Sequence, residues 1–526
     1  MKTVKVTYDD SIVQKLRNAF TSIDCIFTEA MQNARRANAS HVHFDTSTPG
    51  QLIIRDNGDG IADLQDFLTL AGSGWDEETI DREGAFGMGS FALLYAAEYI
   101  KVESNGQCFE GETRVLLNGH DFNLSDSDVK SGTVITMTLN DLPDDEDFFN
   151  LISKLAKGFQ IDVFVNGVQC KQYHRLTDDF VDIGLGKAFI PGISIAESLP
   201  SYTNGSTLLY FQGLRVDKQR HKTTPYTIVH LDEQLFEVRM PDRDVLIDQE
   251  KQNKLIEEKI NATWVDYLTA KKAELNSDEF VKLYSQMRQY GCLSLLNDVP
   301  LVPEEALFVV PESPHCERRD YDENFAKERS VHRNDIGKVL AIESYVDDET
   351  IYQWQYAYHT EALCYQESSL DKGHWLHAHI VIDSDNSGSV AVIYSDKKTV
   401  TSYRGEFVWM GCEFGDKVLI NGPLGEVEVV DDVIFFKDTM YIPADFKDGS
   451  AILKANSFTN NDSFDDTAYQ NEEQIFGAFL MRHNGSVLEA FKAALDNPYI
   501  NGLGFNDKQF KVVFHAKGFE VEEIAA

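Results

Sequence analysis

The chain has 526 residues, 43% of them hydrophobic, and 48 Lys and Arg against 86 Asp and Glu give it a formal net charge of −38. That length exceeds one compact core and implies roughly three or four domains, while the composition excludes wholesale disorder. So acidic a surface repels polyphosphate, which disfavours binding of naked DNA, and no apolar run is long enough to cross a bilayer.

Met1–Val6 alternates like a strand and lacks the apolar core of a signal peptide, so a cytoplasmic location and no membrane partner are expected. Residues 9–20 and 22–38 read as helices, the second with Ser22 as a cap candidate. Strands are expected near His41–Asp45 and Leu52–Arg55, followed by a glycine-rich turn, a short helix at Leu64–Leu70 and a longer one at Phe86–Tyr99. Further strands fit Ile100–Ser104, Phe109–Leu117 and Thr133–Leu139. A helix fits Phe148–Lys157, and Gln160–Cys170 reads as a hairpin turning at Asn166-Gly167. Strands and helices do not alternate regularly, so the expected class is α+β with a mixed sheet.

A second block carries strand-like segments at Thr207–Phe211, Thr227–Leu231 and Phe236–Met240, then a helix over Gln249–Lys272. Prolines between Val299 and Pro314 and charges up to Arg333 suggest a linker. Gly337–Lys454 is rich in aromatic and β-branched residues and reads as mostly strand; a helix near Glu472–Leu495 and a strand near Phe510–His515 follow. The expected division is 1–195, 196–275, 276–336, 337–455 and 456–526. The seven cysteines stand singly, with no Cys-x-x-Cys pair, which argues for free thiols.

Three early segments carry chemistry. Glu29 and Asn33, four apart on a helix, share a face. A carboxylate there can take a proton from an attacking water and the amide oxygen can ligate Mg²⁺, or the pair is an ordinary polar helix face. Asp56-Asn57-Gly58-Asp59-Gly60 follows a strand: its glycines, Gly58 and Gly60, allow close approach to a flat ring, and a carboxylate accepting from an exocyclic amine selects adenine. A simple β-turn is the alternative. Gly84, Gly87 and Gly89, with Ser90, open a helix whose N–H groups suit phosphates; no Gly-Lys-[Ser/Thr] follows, so it is no Walker loop.

In order and spacing these segments resemble the GHKL, or Bergerat-fold, ATPases, closest in style to the heat-shock chaperone and MORC branches. The resemblance covers about Ser22 to Cys170. It implies an N-terminal Bergerat domain with a mixed sheet and helices on one face, an α/β transducer-like middle domain, and ATP with Mg²⁺ as cofactors. By resemblance, Glu29 is the water-activating base, Asn33 the magnesium ligand, Asp56 the adenine contact, and Gly87 and Gly89 phosphate-binding lid residues. Leu68–Gly74 is similar to the segment that opens the lid, and Ser131-Gly132-Thr133 to the strand completing the adenine pocket, which nominates Thr133. Many relatives carry Asp three or four residues after the Asn; Arg36 and Ala37 stand here, which implies altered nucleotide packing or slow turnover.

In such clamps a basic residue of the second domain reaches the γ-phosphate. Arg239, Arg243 and Lys251 are candidates, Arg243 foremost because it sits in a turn before a helix. The implied behaviour is ATP-gated homodimerisation acting on a protein client, with the alternatives of a scarcely hydrolysing ATP sensor or scaffold and, by family analogy, a component of a bacterial or phage conflict system. Glu343 with Asp383 and Asp385 at strand ends resemble faintly a Toprim carboxylate set, or are common acidic turns. His374, His377 and His379 invite a metal reading, against which stands a packed histidine cluster.

Overall fold

The computed structural model describes residues 13, 24–70, 89–139, 142–195, 207–217, 226–239, 243–312, 326–327, 330–342, 350–381, 388–394, 399–455, 466–495, 508–515 and 517–524. The chain forms two compact units, Met1–Tyr267 and Leu268–Ala526, and its class is mixed α+β.

The first unit is built on strands β1 (His41–Asp45), β2 (Gln51–Asp56), β3 (Tyr99–Ser104), β4 (Gln107–Glu112), β5 (Ser125–Asp126), β6 (Thr133–Thr138), β7 (Asp162–Val165) and β8 (Val168–Gln169). They lie in the order β5-β4-β3-β6-β2-β1-β7-β8, antiparallel except for β1 beside β7. Alternation puts Val42, Phe44, Leu52, Ile54, Ile100, Val102, Ile135 and Met137 on one face. Against it pack helices α1 (Asp24–Arg36), α2 (Leu64–Phe67), α3 (Gly89–Ala96) and, after the short α4 (Thr113–Leu117), α5 (Asp145–Ala156). Phe27 of α1 is fully buried and meets Phe44 and Phe148 edge to face, with ring centroids at 5.8 and 5.3 Å. Truncating such a residue to Ala costs about 3–5 kcal/mol.

Several boundaries move, for local reasons. The Phe109–Leu117 strand stops at Glu112, where its partner begins at Tyr99. Thr113 then turns the chain into α4, donating its amide to the Glu98 carbonyl at 3.0 Å and its hydroxyl to the Ala97 carbonyl. The helix expected over Leu64–Leu70 ends at Phe67, and that expected to reach Tyr99 ends at Ala96. Asp144 caps α5 through the Asp147 amide and so starts it three residues early. Asn166 and Gly167 have φ of 47° and 79°, as the hairpin turn between β7 and β8 requires. Residues 9–20, apart from helical Val13, lie outside the described residues, as does Ser22.

A second sheet in this unit has the order β12-β11-β13-β10-β9, with β9 (Val181–Asp182), β10 (Gly186–Phe189), β11 (Thr207–Phe211), β12 (Leu214–Arg215) and β13 (Thr227–Leu231). β9, β10 and β12 are too short for sequence periodicity to show. Phe236–Met240 is not the strand expected: its described residues make only the isolated bridge Val238 to Leu246. The helix Gln249–Glu274 follows.

In the second unit, the described part of the stretch read as a linker includes short strands. Leu301–Val302 and Leu307–Val309 are strands, and Leu307–Val309 pairs with Leu363–Tyr365. Val339–Ala341 lies parallel between Leu363–Tyr365 and Ile380–Val381. Two antiparallel-rich sheets between Ser389 and Pro443 share a core with the helix Ile351–His359. The helix expected at Glu472–Leu495 is two, Asp466–Asn484 and Val487–Leu495. Between them Ser486 and Glu489 exchange side-chain-to-amide hydrogen bonds at 2.9 and 3.1 Å, a capping box that starts the second helix. The strand Gln509–His515 pairs with the last strand, Gly518–Ile524. Among the described residues, no helix is long and apolar enough to cross a membrane, and the six described cysteines are free and buried.

Candidate functional site

The site in the first unit is arranged along α1. At its C-terminal end lies the Asp56–Gly60 turn. Asp56 ends β2 directly opposite Thr133, the first residue of β6. The Gly58 amide donates to Asp56 Oδ1 at 2.9 Å, and the Thr133 amide and hydroxyl also donate to this carboxyl. Burial raises the Asp56 pKa above its ordinary value, and these hydrogen bonds oppose the rise.

The turn is fixed by backbone approaches that only glycine permits. A Cβ on Gly58 would lie 2.4 Å from the Ala37 carbonyl oxygen, and one on Gly132 2.3 Å from the Asp56 carbonyl oxygen. Ala37 is therefore pressed against the turn, and its carbonyl accepts from the Asp59 amide at 2.7 Å. Asn57 Oδ1 accepts from the amides of Ser40 and His41 at 3.0 and 3.2 Å. Fully buried Ser104, which sequence reasoning missed, ties the two strands together: its hydroxyl donates to the Gly132 carbonyl at 2.7 Å and accepts from the Ile61 amide at 2.8 Å. Gly60, at φ 75°, lies against that hydroxyl.

Along α1, Glu29, Asn33 and Arg36 fall at i, i+4 and i+7, one stripe of the helix. Glu29 and Arg36 are buried and Asn33 is half-buried. Glu29 lies against Gly89, where a Cβ would be 2.1 Å from Glu29 Oε2. Its other oxygen, Oε1, accepts from Arg243 Nε at 3.2 Å, and both side chains are only 6% exposed. Arg243 Nη1 donates to Gln212 Oε1 at 3.1 Å, and Gln32 of α1 donates to the Gln212 carbonyl at 2.9 Å. Arg243 and Gln212 both adopt positive φ, 52° and 53°, a conformation costing roughly 1–3 kcal/mol per non-glycine residue. Burial lowers the Arg243 pKa; Glu29 opposes this, and the charges of Arg36 and Arg35 add to it.

Of the three basic residues weighed from sequence, Arg243 reaches α1, Arg239 pairs with Asp244 at 2.8 Å, and Lys251 is exposed on the long helix. The sequence signal for Arg243 was only its turn; its partner, Glu29, lies 214 positions away. Ser90 is half-buried in α3. Gly84 and Gly87 lie outside the described residues, as do Arg82 and most of the Leu68–Gly74 segment.

The residues fit a purine at one end and phosphate groups at the other. Asp56 is a half-buried acceptor flanked by glycine backbone, and a carboxylate suits an exocyclic amine but not the carbonyl that guanine presents. Two guanidiniums, those of Arg36 and Arg243, suit an anion in a chain otherwise strongly acidic. A divalent cation at Asn33 does not fit the present arrangement. Asn33 Oδ1 accepts from Arg36 Nη1 at 3.3 Å. An ion bound to that oxygen at ~2.1 Å would lie ~4 Å from the guanidinium, where a divalent charge meets about 8 kcal/mol of repulsion at an effective dielectric of ~20. One cation excludes the other. Among the described residues no group of three or more His, Cys, Asp or Glu could hold a metal.

Elsewhere, the histidine cluster is structural. His374 Nδ1 accepts from the Leu376 amide at 3.1 Å and caps the 3₁₀ turn Trp375–Ala378, while His377 Nε2 meets the Asp371 carbonyl at 3.0 Å. His377 is thus in a 3₁₀ turn and not in a strand. The parallel strands Val339–Ala341 and Ile380–Val381 adjoin, but Glu343, Asp383 and Asp385 lie outside the described residues. No protein-family model matches the chain, and no curated protein matches it.

Proposed function

We propose that the chain is an ATP-binding conformational switch of the GHKL type that hydrolyses its nucleotide slowly. Asp56 and Thr133 take the adenine; Gly58, Gly60, Gly89 and Ser90 line its passage to the phosphates. Glu29 accepts a proton from a water whose oxygen bonds to the terminal phosphorus as the bridging P–O bond breaks, releasing ADP and phosphate. Arg243 holds Glu29 until the terminal phosphate competes for the guanidinium, which links nucleotide to the sheet that carries Gln212. The observation that carries this reading is the buried Glu29–Arg243 pair, joining two residues that the resemblance nominates from segments 214 positions apart. An ion pair so buried is weak evidence for stability alone. It makes chemical sense as a contact to be exchanged.

ATP binding would pair two copies of the chain and act on a protein client, in the cytoplasm. Such coupling requires ATP to prefer the closed state. A second reading, an ATP sensor that scarcely turns over, is favoured by one observation: guanidiniums hold both Glu29 and Asn33.

A phosphate-release assay tests the assignment. Glu29→Gln keeps an acceptor for Arg243 but no base, so it should bind ATP with turnover reduced at least about a hundredfold. Turnover at the wild-type rate would remove Glu29 from the chemistry.

A further inference from the structure

Resting on that reading, the geometry at Asn33 points further. We propose that Arg36 takes the place of the divalent cation, so that this chain binds its nucleotide as the metal-free triphosphate. The magnesium expected at Asn33 is then not needed for binding.

Three observations converge. Arg36 is buried and its guanidinium is already on Asn33 Oδ1, the oxygen that a magnesium ion would need. Its place on α1 is also the right one: Glu29 meets Gly89 and Arg243 toward one end of the stripe, and Ala37 meets Gly58 and the Asp59 amide at the other. A triphosphate running from the Asp56 turn to Glu29 passes Arg36 between them. Finally, the charge count favours it. A metal-free triphosphate carries about four negative charges at neutral pH, and the −38 of the whole chain offers no general cationic field to offset them. Beside Arg243, whose charge Glu29 holds, and Arg35, whose charge Glu233 holds, Arg36 places a further buried guanidinium at this spot, where a charge acts strongly. A guanidinium also supplies forked N–H donors that match phosphate oxygens.

The test is titration of ATP into the full-length chain, once with magnesium and once with EDTA. The expected result is affinity equal within about threefold in the two buffers. Arg36→Ala should weaken binding in EDTA by about ten- to a hundredfold, the worth of a charge-assisted hydrogen bond, and magnesium should restore much of it, because the Asn33 oxygen is then open. Asn33→Ala, a milder change at a half-buried position, should alter wild-type affinity by no more than about threefold in either buffer. Binding that requires magnesium, or a tenfold or larger loss in Asn33→Ala, overturns the role of Arg36 and leaves the nucleotide site standing. Absence of binding in both buffers overturns the nucleotide reading and this inference together.

Discussion

Arg243 buries a full positive charge against one carboxylate, and that choice is expensive. Removing one partner of a buried pair typically costs about 3–5 kcal/mol, because the other is left charged and unsolvated, whereas replacing both is often near neutral. Arg243→Met should therefore lower stability strongly, and the double variant Glu29→Gln with Arg243→Met should recover most of the loss in urea unfolding of the full chain. Strictly additive losses would mean that the two residues are not energetically joined. At this scale the sequence was informative where spacing alone decides geometry. Glu29 and Asn33 share a face because four residues make about one helical turn, and Asp56 stands opposite Thr133 because one ends and the other begins a run of strand-forming residues in an antiparallel pair. It was silent where a contact depends on a turn of unusual φ. Arg243 could be named, yet its seat on Glu29 follows from left-handed backbone at 243 and 212. Ser104 carried no signal, since a lone serine ending a strand looks like any other.

At the scale of elements, α1 and the Asp56–Gly60 turn act as one piece. Gly58 touches the Ala37 carbonyl so closely that any side chain must part them. Gly58→Ala should separate the turn from α1 and cost about 1–3 kcal/mol in stability, the range for overpacking, with a greater than tenfold loss of ATP affinity. Wild-type affinity in a folded Gly58→Ala would show that the turn does not shape the site. The glycine was visible in the sequence, but not what it touched. Other elements were misread for identifiable reasons. The Thr113–Leu117 helix is rich in β-branched and aliphatic residues, and pairing that ended at Tyr99–Glu112 overrode their preference for strand. The break at Ser486 did have a signature, Ser486-x-x-Glu489, hidden inside a continuous helical periodicity. The 3₁₀ turn at Trp375–Ala378 was invisible, being too short for any period to register.

For the whole molecule, the acidic composition and the buried guanidiniums of Arg36 and Arg243 make opposite statements, and their contrast is informative. A chain of charge −38 nonetheless buries two guanidiniums in its first unit, that of Arg36 on Asn33 and that of Arg243 on Glu29. The second unit contributes neither; its strands and helices form their own core. The irregular order of helical and strand-like segments along the chain correctly pointed to a mixed α+β class. The short strands between Leu301 and Val309 escaped notice because prolines around them resemble a linker. The most direct measurement is calorimetric titration of ATP and GTP into the full-length wild type and into Asp56→Ala. The account predicts saturable binding of ATP at one site per chain, no detectable binding of GTP, and loss of ATP binding in Asp56→Ala. Absence of ATP binding by folded wild type, or undiminished binding by Asp56→Ala, would contradict it.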